Sequence, residues 1–158
     1  MSYVIRTLEI SELPLLCALF DYNDADDMIS QNAEKIQGGE CEIFGLFSDN
    51  DLIGELHAKY KSDDIHEAVP NKRVYLYAFR IRGDMQNRGL GKMLLKNVLV
   101  TLSKRGYSEF TIGVEDDNDR AKHIYGSFGF TEIIARKYED YQGDGYEYDL
   151  YLKRNGNG

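Results

Sequence analysis

The sequence predicts a single α/β domain of the α+β kind, with about seven strands and about four helices. Three observations predict it. First, Arg73–Ile81 is rich in aromatic and β-branched residues, a tight Gly-containing turn follows, and Leu90, Leu94, Val98 and Leu102 then recur at helical spacing. Second, strand-like and helix-like segments run along the whole chain in the order strand, two helices, three strands, helix, strand, helix, two strands. Third, the 158 residues are 42% hydrophobic and 29% charged, with no Gly/Ser-rich linker, repeat or low-complexity tract, so residues 1–158 read as one domain.

Tyr3–Thr7 reads as the first strand. Ser11 then suits a helix cap, Pro14 is tolerated in a first turn, and Leu13, Leu16, Cys17 and Phe20 share one helical face. An acidic turn, residues 21–27, leads into a second helix marked by Ala25, Ile29, Ala33 and Ile36 and stopped by Gly38-Gly39. Asp24, Asp26 and Asp27 suit capping of that helix and balance of its dipole, and as carboxylates they also suit attraction of a cationic substrate. Glu42–Ser48 and Leu52–Tyr60 are strands joined by the polar turn Asp49-Asn50-Asp51, and residues 61–71 read as an exposed loop before the central strand.

Beyond the central turn a helix runs to Lys104-Arg105, whose charges suit its negative end, and Gly106 stops it. Phe110–Val114 is the next strand. Asp116-Asp117-Asn118 form an N-cap cluster for a helix carrying Tyr125 and ended by Gly129. Phe130–Tyr138 and Tyr146–Leu152 close the chain as two strands around a loop of residues 139–145. Gly126 inside the last helix costs about 1 kcal/mol relative to alanine, which suggests close approach of a strand or a ligand there.

Nineteen Lys plus Arg against 27 Asp plus Glu give a net charge of −8 and a pI near 4.9. Such a field repels phosphate backbones and anionic lipid, arguing against nucleic-acid and membrane partners; it modestly favours an amine substrate, although solubility explains it equally well. No apolar run is long enough to span a bilayer and Met1–Arg6 lacks the features of a signal peptide, so a cytoplasmic location is expected. Cys17 and Cys41 read as reduced core residues. With His57, His66 and His123 scattered, no metal site is expected.

The turn of residues 83–92 reads as an anion cradle, because two closely spaced glycines bring a ligand against bare N–H groups and the following helix adds unpaired donors and a positive dipole end. A Walker loop fails, since Gly91-Lys92 is followed by Met93, and the dinucleotide fingerprint fails at Leu94, where its third glycine belongs. Gln86-Asn87-Arg88-Gly89-Leu90-Gly91 instead resembles the Gln/Arg-x-x-Gly-x-Gly/Ala signature of the GCN5-related N-acetyltransferase (GNAT) family. Residues 118–130, from Asn118 through Ala121 and Tyr125 to Gly129-Phe130, are similar to that family's Asn-x-x-Ala-x-x-x-Tyr-x-x-x-Gly-Phe pattern.

The resemblance covers nearly the whole chain. It implies a mixed, twisted sheet that splays after the central strand and acetyl-CoA as co-substrate, with no metal. It also implies that backbone N–H groups of Gln86, Asn87, Arg88, Gly89, Leu90, Gly91 and Lys92 bind the pyrophosphate, and that Phe79 and Ile81 pair with pantetheine. Asn118 matches a position that touches the pantetheine arm, and capping is an equal reading. Tyr125 is the expected general acid, since a phenol of pKa near ~10 stays protonated at neutral pH and can donate to a thiolate. Family members that acetylate protein N-termini often carry Glu where this chain has Gly113, so the base stays open among Glu115, Glu139, Asp140, Asp144 and an ordered water, with Tyr75 and Tyr77 expected to line the pocket.

The expected function is transfer of acetyl to the primary amine of a small molecule by direct attack in a ternary complex. The alternatives are a protein or peptide N-acetyltransferase and a non-catalytic acyl-CoA-binding module. Specificity is expected in residues 21–28, 61–72 and 139–146. Tyr138, Tyr141, Tyr146, Tyr148 and Tyr151 suit either completion of the sheet or burial against a second copy, so a homodimer is left open.

Overall fold

In the computed structural model, which describes residues 2–156, strand β1 (Tyr3–Thr7) leads into a 3-10 helix (Ile10–Ala18) and helix α1 (Ala25–Gln37). Strands β2 (Cys41–Ser48), β3 (Asp51–Lys59) and β4 (Arg73–Ile81) follow, then helix α2 (Leu90–Lys104), strand β5 (Glu109–Glu115), helix α3 (Asp119–Ser127) and strands β6 (Glu132–Tyr141) and β7 (Asp144–Arg154). The domain limits at residues 1 and 158 and the Tyr141 side chain lie outside the described residues.

All seven strands form one sheet in the order β1-β2-β3-β4-β5-β7-β6. Every neighbouring pair is antiparallel except β4 with β5, which the α2 crossover makes parallel. That pairing runs only from Arg73↔Glu109 to Leu76↔Ile112, so the strands part and leave the edge of residues 77–81 facing a gap. On its other side β4 stays bonded to β3 but carries a bulge: His57 faces Tyr77, Glu55 faces Arg80, and Leu56 alone opposes Ala78 and Phe79. Ala78 takes a left-handed conformation, φ 49°, to make it.

Helices cover both faces. Leu94, Leu95, Val98 and Leu102 of α2 pack on Leu56, Ala58, Val74, Leu76, Phe110 and Ile112. Leu13, Leu16 and Met28 cover Leu8, Ile43, Phe47 and Leu52 on the opposite face, toward the β1 end. Among the described residues no helix is long and apolar enough to cross a membrane.

The mixed seven-stranded sheet with four flanking helices is the expected architecture, with local corrections. The first helix is 3-10 and is capped by Glu9, not Ser11: the Glu9 N–H donates to Glu12 Oε1 at 2.9 Å, and Arg6 holds the other Glu12 oxygen at 2.7 Å. Pro14 in its middle, lacking an N–H, disfavours α-helical bonding. Cys17 is exposed, whereas Cys41 is buried as expected. The loop expected over 139–145 is a two-residue hairpin, because Gln142 (φ 54°) and Gly143 (φ 88°) both take the left-handed conformation that matches strand twist, and pairing continues to Tyr141↔Asp144. Glu115 ends β5, paired with Tyr148, and is not in the turn. Among the described residues outside its own helix turn, nothing lies within 4 Å of a Cβ placed at Gly126, so no described strand approaches there.

Candidate active site

The gap between β4 and β5 opens into a cleft of about 1170 Å³ that continues over the sheet to the start of α1 and the β6–β7 hairpin. Its first wall is the free edge of β4. The Arg82 N–H donates to the Ile53 carbonyl at 2.8 Å, so strand alternation turns the backbone groups of Phe79 and Ile81 to the other edge, where β5 has departed. Gln86 Nε2 already donates to the Ile81 carbonyl at 3.0 Å, clamping the turn to the strand end.

The turn leaves the strand through a short 3-10 segment, Gly83–Met85, anchored by buried Met85 and by the Arg82–Asp84 pair at 2.6 Å. Asn87 (φ 63°) and Gly89 (φ 78°) are left-handed, and α2 starts directly after Gly89 with no side-chain cap and no acidic residue in its first turn. The first intrahelical bond is Met93 N–H to the Gly89 carbonyl, 3.1 Å, so the N–H groups of Leu90, Gly91 and Lys92 have no partner within the helix. A donor row at a positive helix end, uncapped and free of carboxylates, fits a pyrophosphate. Gly91 is less demanding than its place in the motif suggests, because a Cβ there would sit at ordinary contact, 3.6 Å from Phe79 and 3.7 Å from Ile81. Arg120 donates to Asn87 Oδ1 at 2.8 Å, tying the turn to α3.

The cleft brings Phe79, Asn118, Ala121 and Tyr125 together across the gap. Asn118 is the N-cap of α3, its Oδ1 accepting from the Ala121 N–H at 3.1 Å. Tyr125 lies between Phe79 and Phe130, with ring centroids 6.3 and 6.1 Å away, and burial pushes its phenol up to about 12. It therefore remains a proton donor throughout the neutral range.

Beyond the gap the cleft floor is the sheet face carrying Tyr75, Tyr77, Tyr146 and Tyr148. Gly113 makes room for Tyr148, as a Cβ there would be 2.7 Å from two carbons of that ring. Burial first, then the charge and hydrogen bond of Tyr148, raise the Tyr75 phenol well above its usual value. Tyr146 donates to Glu139 at 3.0 Å. Asp140 is exposed on β6 and does not line the cleft, whereas Glu115, Glu139 and Asp144 do. Two connections roof this end. Gln142 at the hairpin tip accepts from the Asn23 N–H at 2.8 Å, and Lys137 binds Glu67 at 2.8 Å and also Asp64, fixing the 61–72 segment against β6.

The sequence reading missed a third group. Glu55 and His57, on β3, and Arg80, on β4, form a buried polar cluster: His57 Nε2 is 2.6 Å from Glu55 Oε1, and Arg80 is 3.5 Å from the same oxygen with its guanidinium 4.1 Å from the centre of the Phe20 ring. The legible signal was the Glu-x-His spacing within a strand, which puts both side chains on one face. Among the described residues no group of three or more His, Cys, Asp or Glu is arranged to hold a metal ion.

Comparison with known proteins places these features. The model of the acetyltransferase (GNAT) family matches residues 7–130. The [ribosomal protein bS18]-alanine N-acetyltransferase of Salmonella typhimurium is 31% identical over 114 residues, covering 69% of this chain and 74% of that protein. The crystal structure of the ribosomal-protein-S18-alanine N-acetyltransferase from Escherichia coli superposes with a TM-score of 0.76 at 20% identity, covering 99% of this chain and 97% of the other. The PaiA N-acetyltransferase of Thermoplasma acidophilum, solved with coenzyme A, gives 0.63 at 20% identity over 98% of this chain and 99% of the other. The chain belongs to the GNAT family and is an acetyl-CoA-dependent N-acetyltransferase.

Proposed function

We propose that residues 1–158 form one catalytic domain that transfers acetyl from acetyl-CoA to the primary amine of a small molecule by direct attack in a ternary complex. In this reading the backbone N–H groups from Gln86 to Lys92 hold the pyrophosphate, with Arg88 and Lys92 exposed beside them, and the free edge at Phe79 and Ile81 aligns the pantetheine arm. Asn118 keeps α3 in place through its cap and borders the same arm. Tyr125 gives its proton to the departing thiolate.

The observation that carries the small-molecule reading is the connection across the acceptor end: the Gln142–Asn23 hydrogen bond joins the β6–β7 hairpin to the segment before α1, beside the floor of tyrosines. Tyr148 over Gly113 supports it too, by filling the place from which the Glu of N-terminal acetylases emerges. A second reading, acetylation of a protein N-terminal alanine, is favoured by the named activity of the Salmonella relative. Thiol release from acetyl-CoA across polyamines, aminoglycosides, amino acids and N-terminal peptides separates the two. Turnover concentrated on one small-amine class is expected; a preference for alanine-terminated peptides overturns the small-molecule reading.

A further inference from the structure

Three buried polar atoms on two adjacent strands, Glu55 Oε2, His57 Nδ1 and Arg80 Nη1, have no hydrogen-bond partner among the described residues. Glu55 is 0% and His57 3% exposed, and buried polar groups left unpaired are rare and costly. They stand beside the β4 bulge, and His57 and Arg80 both line the cleft. The 2.6 Å contact of His57 Nε2 with Glu55 Oε1 requires a proton between them, and the Arg80 guanidinium 3.5 Å from the same oxygen favours the carboxylate form of Glu55, so we assign that proton to Nε2. Arg80 at 3.5 Å already balances the Glu55 charge, so the ring need not be cationic, and Nδ1 keeps a lone pair.

We propose that His57 is the base that takes the proton of the incoming ammonium, with Glu55 and Arg80 as positioning residues that fix its tautomer and neutrality. The inference rests on the acetyl-transfer reading above. The ammonium gives one proton to His57 Nδ1, and the freed nitrogen lone pair forms the N–C bond as the C–S bond breaks. Tyr125 protonates the departing sulfur and regains a proton from the same nitrogen, and His57 returns its proton to solvent. One amide, one thiol and one proton result. Of the other titratable or charged groups nearby, Tyr77 on β4 has its ring centroid 5.1 Å away and is hydrogen-bonded to Cys41 of β2, while Lys59 on β3 and Glu67 of the 61–72 segment line the same cleft. Across the cleft Asp24, Asp27 and Lys35 of the α1 region line the same space, and β2 places the non-titrating Ile43 opposite His57.

The test compares wild type with His57→Gln and Glu55→Gln, using an alkylamine acceptor and an alkoxyamine whose nitrogen is neutral at assay pH. For His57→Gln at neutral pH, kcat/KM for the alkylamine is expected to fall on the order of 10²-fold, recovering as pH approaches the amine's own pKa, with a much smaller loss for the alkoxyamine and unchanged CoA affinity. Equal losses with both acceptors at every pH would mean a merely structural role and overturn the proposal, as would no loss. A readout independent of turnover is the 15N spectrum of histidine-labelled wild type, with His57 assigned from the variant. A ring carrying its proton on Nε2 and none on Nδ1 is expected; a proton on Nδ1 overturns the proposal. No wild-type turnover on any amine removes the acetyl-transfer reading and this inference with it, whereas turnover that is indifferent to His57 removes the inference alone.

Discussion

Tyr125 is a strong-holding acid, and that limits how it works. A phenol at about 12 giving its proton outright to a thiolate of conjugate pKa about 8.5 climbs about 5 kcal/mol. On the proposed reaction path that cost is offset when the attacking nitrogen returns a proton to the phenol oxygen in the same event. Tyr125→Phe is expected to lower turnover on the order of 10²-fold or more while acetyl-CoA affinity, read by equilibrium binding, stays within a few-fold. The pH profile should show no limb from Tyr125 below about 11, because desolvation holds its folded value at about 12. Gly113 offers a second residue-scale test. Its Cβ would strike the Tyr148 ring at 2.7 Å, so Gly113→Ala should destabilise by about 1–3 kcal/mol in urea titrations and raise KM for the amine as Tyr148 shifts on the cleft floor.

At the scale of elements, α3 contains a glycine that the fold does not use. Gly126 has no neighbour within 4 Å and an ordinary φ, so Gly126→Ala should stabilise by about 0.5–1 kcal/mol in denaturant unfolding. Weaker CoA binding in the same variant would mean that the cofactor, and not a strand, approaches that turn. The elements themselves were legible wherever period or punctuation was local: β1, β4, α2 with its Gly106 stop, and the Asn118 cap all stand where the residues put them. Elements that depend on a single dihedral were not. Gln142-Gly143 is a turn whose first residue gives no left-handed signal, so ten residues of β6 and eleven of β7 were read too short. The splay of β4 from β5 has no sequence period and came only with the family resemblance. Glu55, His57 and Arg80 could not be joined in advance, because Arg80 meets Glu55 only through a bulge that alters strand register.

Across the whole molecule, ionic ties hold segments against the sheet, Lys137 at the acceptor end and Arg6 beside the 3-10 helix, and these set part of its acid response. Lys137 of β6 binds Asp64 and Glu67, and its hydrogen bond is the main reason the Asp64 carboxyl is held at about 2; Arg6 does the same for Glu12 at about 2. Both values lie below the unfolded carboxylate range near 4, so the stability these pairs contribute is complete above about pH 4 and is lost as pH falls through about 2. An opposing effect acts at higher pH. With a net charge of −8, self-repulsion weakens as pH drops from neutrality toward the pI near 4.9. The urea midpoint is therefore expected to hold or rise slightly from pH 7 to about 5 and then to fall below about pH 4 as these carboxylates take up protons. Asp64→Asn should shallow the acid fall and, by loosening the 61–72 wall, raise KM for the amine more than it changes CoA affinity. An Asp64→Asn acid slope equal to that of wild type would mean that the Lys137 tie is not coupled to folding, and that residues 61–72 are held by Thr111, which donates to the Glu67 carbonyl at 2.7 Å.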